Sequence, residues 1–223
     1  MDNINLQELW QQNEKLLNST RTLNLDLLRT VKLDKAKSSL KNLLFLPAST
    51  MIFFIFMASY GLYFSVNYSE AWYFIFSGSV VSFFAILFVL SSIRQLKLIL
   101  SMDYSAPILS MQKDLTRIKL SIVTNFKITA WLLPFSPFIA LFFFKVILDF
   151  NLMAVLTINM IITFAFITIA LQVIAIFILK SLQPKNINKN WLNWLLQGSG
   201  SQIDEAIQFL DEIKEFEKTD SSL

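Results

Sequence analysis

Chemistry in this chain has few places to sit. Lys145 and Asp149 stand four residues apart at one end of an otherwise uncharged stretch, close enough to pair on a helix. Such a pair can anchor a helix end at a membrane surface or, at mid-depth, serve transport. Its place at the end of the stretch favours the anchor. A second polar set, Thr157, Asn159, Thr163, Thr168 and Gln172, lies in the last long apolar run. At about 100° per residue, Thr157, Thr168 and Gln172 share one arc, whereas Asn159 and Thr163 fall nearly opposite. A pore or substrate path collects its polar groups on one face. Split faces point instead to hydrogen bonds between helices, with Asn159 and Gln172 as packing residues. In an earlier run, Gly78, Ser82 and Ala85 share a face and would let a neighbouring helix approach closely.

The residue types that are missing narrow the chemistry further. The 223 residues include no His and no Cys. Zinc sites of Cys/His type, His-ligated haem, Ser-His-Asp triads, Cys-His dyads and disulfides are therefore excluded. No paired carboxylates lie inside an apolar run, and no phosphate loop or HExxH motif is present. The expectation is a protein that is not an enzyme, with no cofactor and no metal. A net charge of +3 is too small to argue for nucleic acid.

The elements that must position these residues are membrane spans. Residues 152–179 are 28 uncharged residues, about 42 Å as a helix against a hydrocarbon core of about 30 Å. Three more uncharged stretches precede them, at 42–69, 71–93 and 128–148, the last interrupted only by Lys145. The predicted class is all-α: a polytopic membrane protein with four transmembrane helices, at about 43–64, 71–93, 128–148 and 152–179, and cytosolic helical extensions. Residues 1–41 form a cytosolic amphipathic helix, 42–93 a first transmembrane hairpin and 94–127 a cytosolic helical hairpin. Residues 128–180 form a second transmembrane hairpin, and 181–223 a cytosolic tail. Pro47, Pro134 and Pro137 mark an entry or kinks.

Orientation follows from the 19 Lys and Arg. Seven precede the first span, six lie in Arg94–Lys127 and five follow from Lys180, while Lys145 alone lies near an opposite turn. The positive-inside rule puts both termini and the middle segment in the cytoplasm.

The cytosolic segments are patterned for packing. Leu9, Leu16 and Leu23 recur every seven residues, with Leu6, Trp10, Leu17, Leu27 and Val31 widening the stripe. Leu33, Ala36, Leu40 and Leu43 continue it towards the membrane. Asp103 to Pro107 break the chain, with Ser105 as the expected cap of the next helix. Ile108, Met111, Leu115, Ile118 and Ile122 then follow a coiled-coil seam. In the tail, Trp191 and Trp194 beside Lys185 and Lys189 suit the membrane interface. Residues 198–201 read as a flexible Gly/Ser joint before a helix from about Gln202 to Lys218. Its apolar face holds Ile203, Ala206, Ile207, Leu210, Ile213 and Phe216. Residues 15–41 carry a net +5 and residues 201–223 a net −5. This near-cancellation predicts that the acidic helix docks on basic surface of its own chain or of a neighbour. Leu9, Trp10, Leu16, Leu23 and Leu27, with Ile203, Ile207, Leu210 and Ile213, are the candidate partner-binding residues.

Several stretches carry a resemblance. They include Glu8-Leu9-Trp10-Gln11, Lys32 to Ser38, Asp103 to Ile108 with Gln112, the pair Trp131 and Pro134, and Phe209 to Glu217. In layout the chain resembles an uncharacterised family of small bacterial four-span inner-membrane proteins with short outer turns. The resemblance implies a multi-pass protein of the bacterial cytoplasmic membrane and names no activity. Its short N-terminal helical segment is similar in plan to the part with which membrane-bound anti-sigma factors hold a transcription factor. Three readings follow. The first is a regulatory platform that meets membrane lipids and either a cytosolic protein partner or a second copy. The second is an oligomeric pore or membrane-perturbing effector of defence or toxin type. The third is a small transporter.

Overall fold

The computed structural model describes residues 3–182 and 199–221, all-helical apart from short turns. Helix α1 (Asn3–Leu43) passes almost without interruption into α2 (Phe45–Asn67). Leu44 between them keeps helical angles, φ −64° and ψ −30°. Its N–H donates to the Lys41 carbonyl and its carbonyl accepts from Ala48 N–H, each at 3.2 Å. Pro47 lies buried in the first turn of α2, where a missing N–H is harmless. Helix α3 (Trp72–Leu100) runs on beyond the span's end at residue 93. Helix α4 (Ile108–Leu132) leads through a 3-10 turn (Leu133–Phe135) into α5 (Ser136–Leu148). Pro134 and Pro137 fall at that junction, as their lost N–H groups require. A short α6 (Leu152–Val155), then α7 (Ile158–Ser181) and α8 (Ser199–Ser221) complete the described chain. Trp191 and Trp194 lie outside the described residues.

Four helices are long and apolar enough to cross a membrane, and the protein is a multi-pass membrane protein. Three local expectations are corrected. The run 152–179 is not one helix: Leu156 and Thr157 are extended, with ψ of 118° and 161°, and α7 starts after them. Its 24 residues still reach about 36 Å, enough to span. Ser105 does not cap α4. Its N–H and hydroxyl both donate to Asp103 Oδ1, at 2.8 and 2.6 Å, closing a turn. The Pro107 carbonyl instead accepts from Ser110 and Met111 N–H to start the helix. In the predicted joint, Ser199 to Ser201 are helical. Gly200 falls in the first turn, where its low helix propensity matters less than in a helix interior, and Ile203 and Ala206 just beyond are buried.

The membrane half is built on α2 and α3. Gly61 and Gly78 cross so closely that a Cβ on Gly78 would lie 2.6 Å from the Gly61 carbonyl oxygen. Ser82 donates its hydroxyl to the Ala58 carbonyl at 3.1 Å across the same contact. Helix α5 joins through the Ser77 hydroxyl, which donates to the Phe138 carbonyl, and through Phe142, edge-on to Phe64 with ring centroids 4.8 Å apart. Helix α7 packs at the margin, and Ala175 is its sole buried residue. On the side of the short turns, Lys145 pairs with Asp149 at 2.5 Å and lies 5.0 Å from the Tyr68 ring of the other turn. Asp149 takes the left-handed angle φ 49° that closes α5, a conformation Asp tolerates better than most residues.

Candidate functional site

With four spans, α1, the α3–α4 connection and α8 all lie on one side of the membrane. There they build a helical platform with its own core. From α1 come Ala36, Leu40 and Leu43, and from α4 Ile108, Met111, Leu115, Ile118 and Ile122. Ile203, Ala206, Leu210 and Ile213 of α8 fill the space between them. The seam residues of α4 are all buried, with Leu115 and Ile118 at 0% exposure. Leu182, at the end of α7, closes the core on the membrane side.

Polar contacts set the register of α8. On its α1 side, Lys32 pairs with Glu212 and the Ser39 hydroxyl donates to Glu205 at 2.7 Å. Lys32 and Lys35 also lie over the Phe209 ring, at 5.3 and 6.0 Å. On its α4 side, Lys119 pairs with Asp204 at 2.8 Å and the Gln112 amide donates to Asp211 at 2.7 Å. Lys119 is buried, so Asp204 neutralises a charge that water no longer solvates. The hydrogen bond from Lys32 holds the Glu212 carboxyl below its ordinary pKa. At the α3–α4 turn, the Ser105 hydroxyl and N–H do the same for Asp103, and burial pushes the Tyr104 phenol up.

The outer part of α1 behaves differently. Leu9, Trp10, Leu16, Leu17, Leu23, Leu27 and Val31 are all exposed, Trp10 by 74% and Leu17 by 70%. A helix in water does not keep such a stripe bare without cost, at about 25 cal/mol per Å² of apolar area. The two halves of the predicted partner surface are therefore unlike. Leu9, Trp10, Leu16, Leu23 and Leu27 are open, whereas Ile203, Leu210 and Ile213 are buried and Ile207 half-buried against the same chain.

The predicted packing residues also divide. Gly78, Ser82 and Ala85 are buried in α3, the first two against α2. Asn159 and Gln172 are exposed on α7, and the Thr163 and Thr168 hydroxyls donate to carbonyls of their own helix. Sequence reasoning missed Gly61, the partner of Gly78. The two stand almost equally far from the turn at Tyr68–Ala71, and that symmetry was a readable signal. It also missed Lys119, buried against Asp204. No protein-family model, curated protein sequence or solved structure matches this chain.

Proposed function

We propose that this is a non-enzymatic integral membrane protein that presents a cytosolic helical platform for binding and regulating a protein partner. One observation carries the reading: Leu9, Trp10, Leu16, Leu17, Leu23, Leu27 and Val31 on the outer part of α1 are bare, while Ala36, Leu40 and Leu43 at its root are packed. The distribution of Lys and Arg favours cytoplasmic termini. The layout resemblance favours a bacterial inner membrane and a role like that of an anti-sigma factor. An amphipathic helix lying in a partner's groove is a common recognition mode, read through anchors at just such spacings. Helix α8 regulates the arm by bracing its root, since it grips α1 through Lys32, Lys35 and Ser39.

A second reading, self-assembly into an oligomeric pore or effector, draws support from α7. That helix exposes Gln172 within a membrane-spanning segment, where a polar amide gains from a partner helix. One experiment separates the two. Native membranes are crosslinked, and the wild-type chain is compared with L16E/L23E and with Q172L. Loss of a cytosolic protein from L16E/L23E alone supports the platform. Unchanged capture by L16E/L23E, with loss of self-crosslinks in Q172L, replaces it with self-assembly.

A further inference from the structure

Between α3 and α4, at the edge of the membrane, lies a cleft of about 310 Å³ with two arginines on its walls, Arg94 and Arg117. Ser91, Ser121 and Thr124 also line it, with Leu98 and Leu120 as its apolar lining. Its size falls at the lower end of small-molecule sites, about 300–1,000 Å³. The two walls are held in register beside it, where the Asn125 amide donates to the buried Gln95 at 3.4 Å.

Arg94 and Ser91 offer uncommitted donors, and Arg117 is lightly held. Arg94 makes no ion pair or hydrogen bond with any described residue. Arg117 meets only Asp114, at 3.2 Å on the exposed face of the same helix, a contact that a better anion displaces. Ser91 is 8% exposed, and its hydroxyl has no partner among the described residues. Ser121 and Thr124 donate to their own helix carbonyls, at 2.7 and 3.1 Å, and so contribute wall rather than protons. The segment Arg94–Lys127 holds six basic residues against Asp103 and Asp114, so the approach favours an anion. Guanidinium groups match phosphate oxygens in a two-point fork.

Depth identifies the source of the anion. Arg94 is the first charge after the apolar stretch 71–93, which puts it in the headgroup layer, about 5–7 Å thick in each leaflet. We propose that this cleft binds the phosphate group of an anionic phospholipid, with Arg94 and Arg117 as the two arms and Ser91 as a further donor. The acyl chains leave along the apolar surface of α3 towards the bilayer.

The test uses the full chain purified in detergent, with retained lipid counted by native mass spectrometry on adding phosphatidylglycerol or phosphatidylcholine. The wild type should hold one phosphatidylglycerol per chain in preference to phosphatidylcholine. R94Q and R117Q should each weaken it, and together by about tenfold or more. K41Q removes an exposed charge near the start of the first span, outside the cleft, and should leave binding unchanged. Equal retention by R94Q/R117Q and wild type overturns the site, as does equal loss in K41Q. Displacement of the lipid by millimolar inorganic phosphate overturns the lipid source and makes the ligand a soluble phosphate. Melting temperatures in phosphatidylcholine nanodiscs confirm that all variants are folded.

Discussion

Truncating Leu210 to Ala asks what holds α8 on the platform. Leu210 is 1% exposed and lies among Ala36, Leu40, Met111 and Leu115 in one core. A buried Leu→Ala change costs about 2–5 kcal/mol, depending on how far the site collapses. The charged contacts of α8 are weaker, because exposed pairs are worth about 0–1 kcal/mol each. The gross gain from burying Ile203, Leu210 and Ile213 is roughly 5–9 kcal/mol, before the cost of ordering a helix. Losing 2–5 kcal/mol from that sum moves the docking equilibrium by about 30-fold or more. Hydrogen exchange read by mass spectrometry is the assay. L210A should speed exchange in residues 203–213 and in the root of α1, about 32–43, with no change in residues 8–27. K32Q should speed the same peptides by less than about tenfold. If K32Q releases α8 and L210A leaves it protected, charge and not apolar packing holds the helix, and the reasoning fails.

Three further outcomes follow. Reporter fusions at residues 20, 105 and 210 should all read cytoplasmic and a fusion within 65–70 should read outside; an inside reading at 65–70 breaks the proposed orientation. G78A puts a methyl group against the Gly61 carbonyl oxygen and should destabilise the α2–α3 hairpin by about 1–3 kcal/mol, seen as a lower melting temperature in nanodiscs, whereas S79A on the exposed face should not. Because the Glu212 pKa is depressed by Lys32, its contribution to docking is complete above the unfolded value of about 4.3 and fades as pH falls through the lower folded value. Hydrogen exchange in residues 203–213, corrected for its intrinsic pH dependence, should therefore hold from pH 7 to 5 and quicken below about 4 by less than about tenfold, and E212Q should remove part of that dependence.

The large divisions were legible because they rest on uncharged length and on where charge returns. Four spans and two tight hairpins follow from uncharged length, and the apolar faces of α4 and α8 from periodicity, since burial of Leu115, Ile118, Leu210 and Ile213 needs only a partner of matching shape. Local backbone geometry was less accessible. Hydropathy does not register the extended pair Leu156 and Thr157, which changes no side-chain polarity yet ends a helix. Ser105 has the composition of a cap, but Asp103 two residues earlier offers a nearer acceptor. Lys119 was hidden for another reason. A lysine is buried only where a carboxylate awaits it, and Asp204 lies 85 residues away in sequence. The cleft with Arg94 and Arg117 likewise depends on two helices meeting, so neither arginine announces it.

The nearly continuous passage from α1 into α2 has a mechanical consequence. Leu44 keeps helical angles, so the arm and the first span follow on with a combined helical length of about 97 Å. Its inner end is clamped to α3 at Gly61 and Gly78, and α8 braces it near Lys32 and Ser39. Trp10 lies about 50 Å from the membrane entry at Leu44. A sideways pull of about 10 Å there tilts the arm by roughly 11° if the brace lets go. With the brace in place, the same pull bends only the free outer length. Helix α8 thus sets the fulcrum of a lever whose short end lies inside the bilayer.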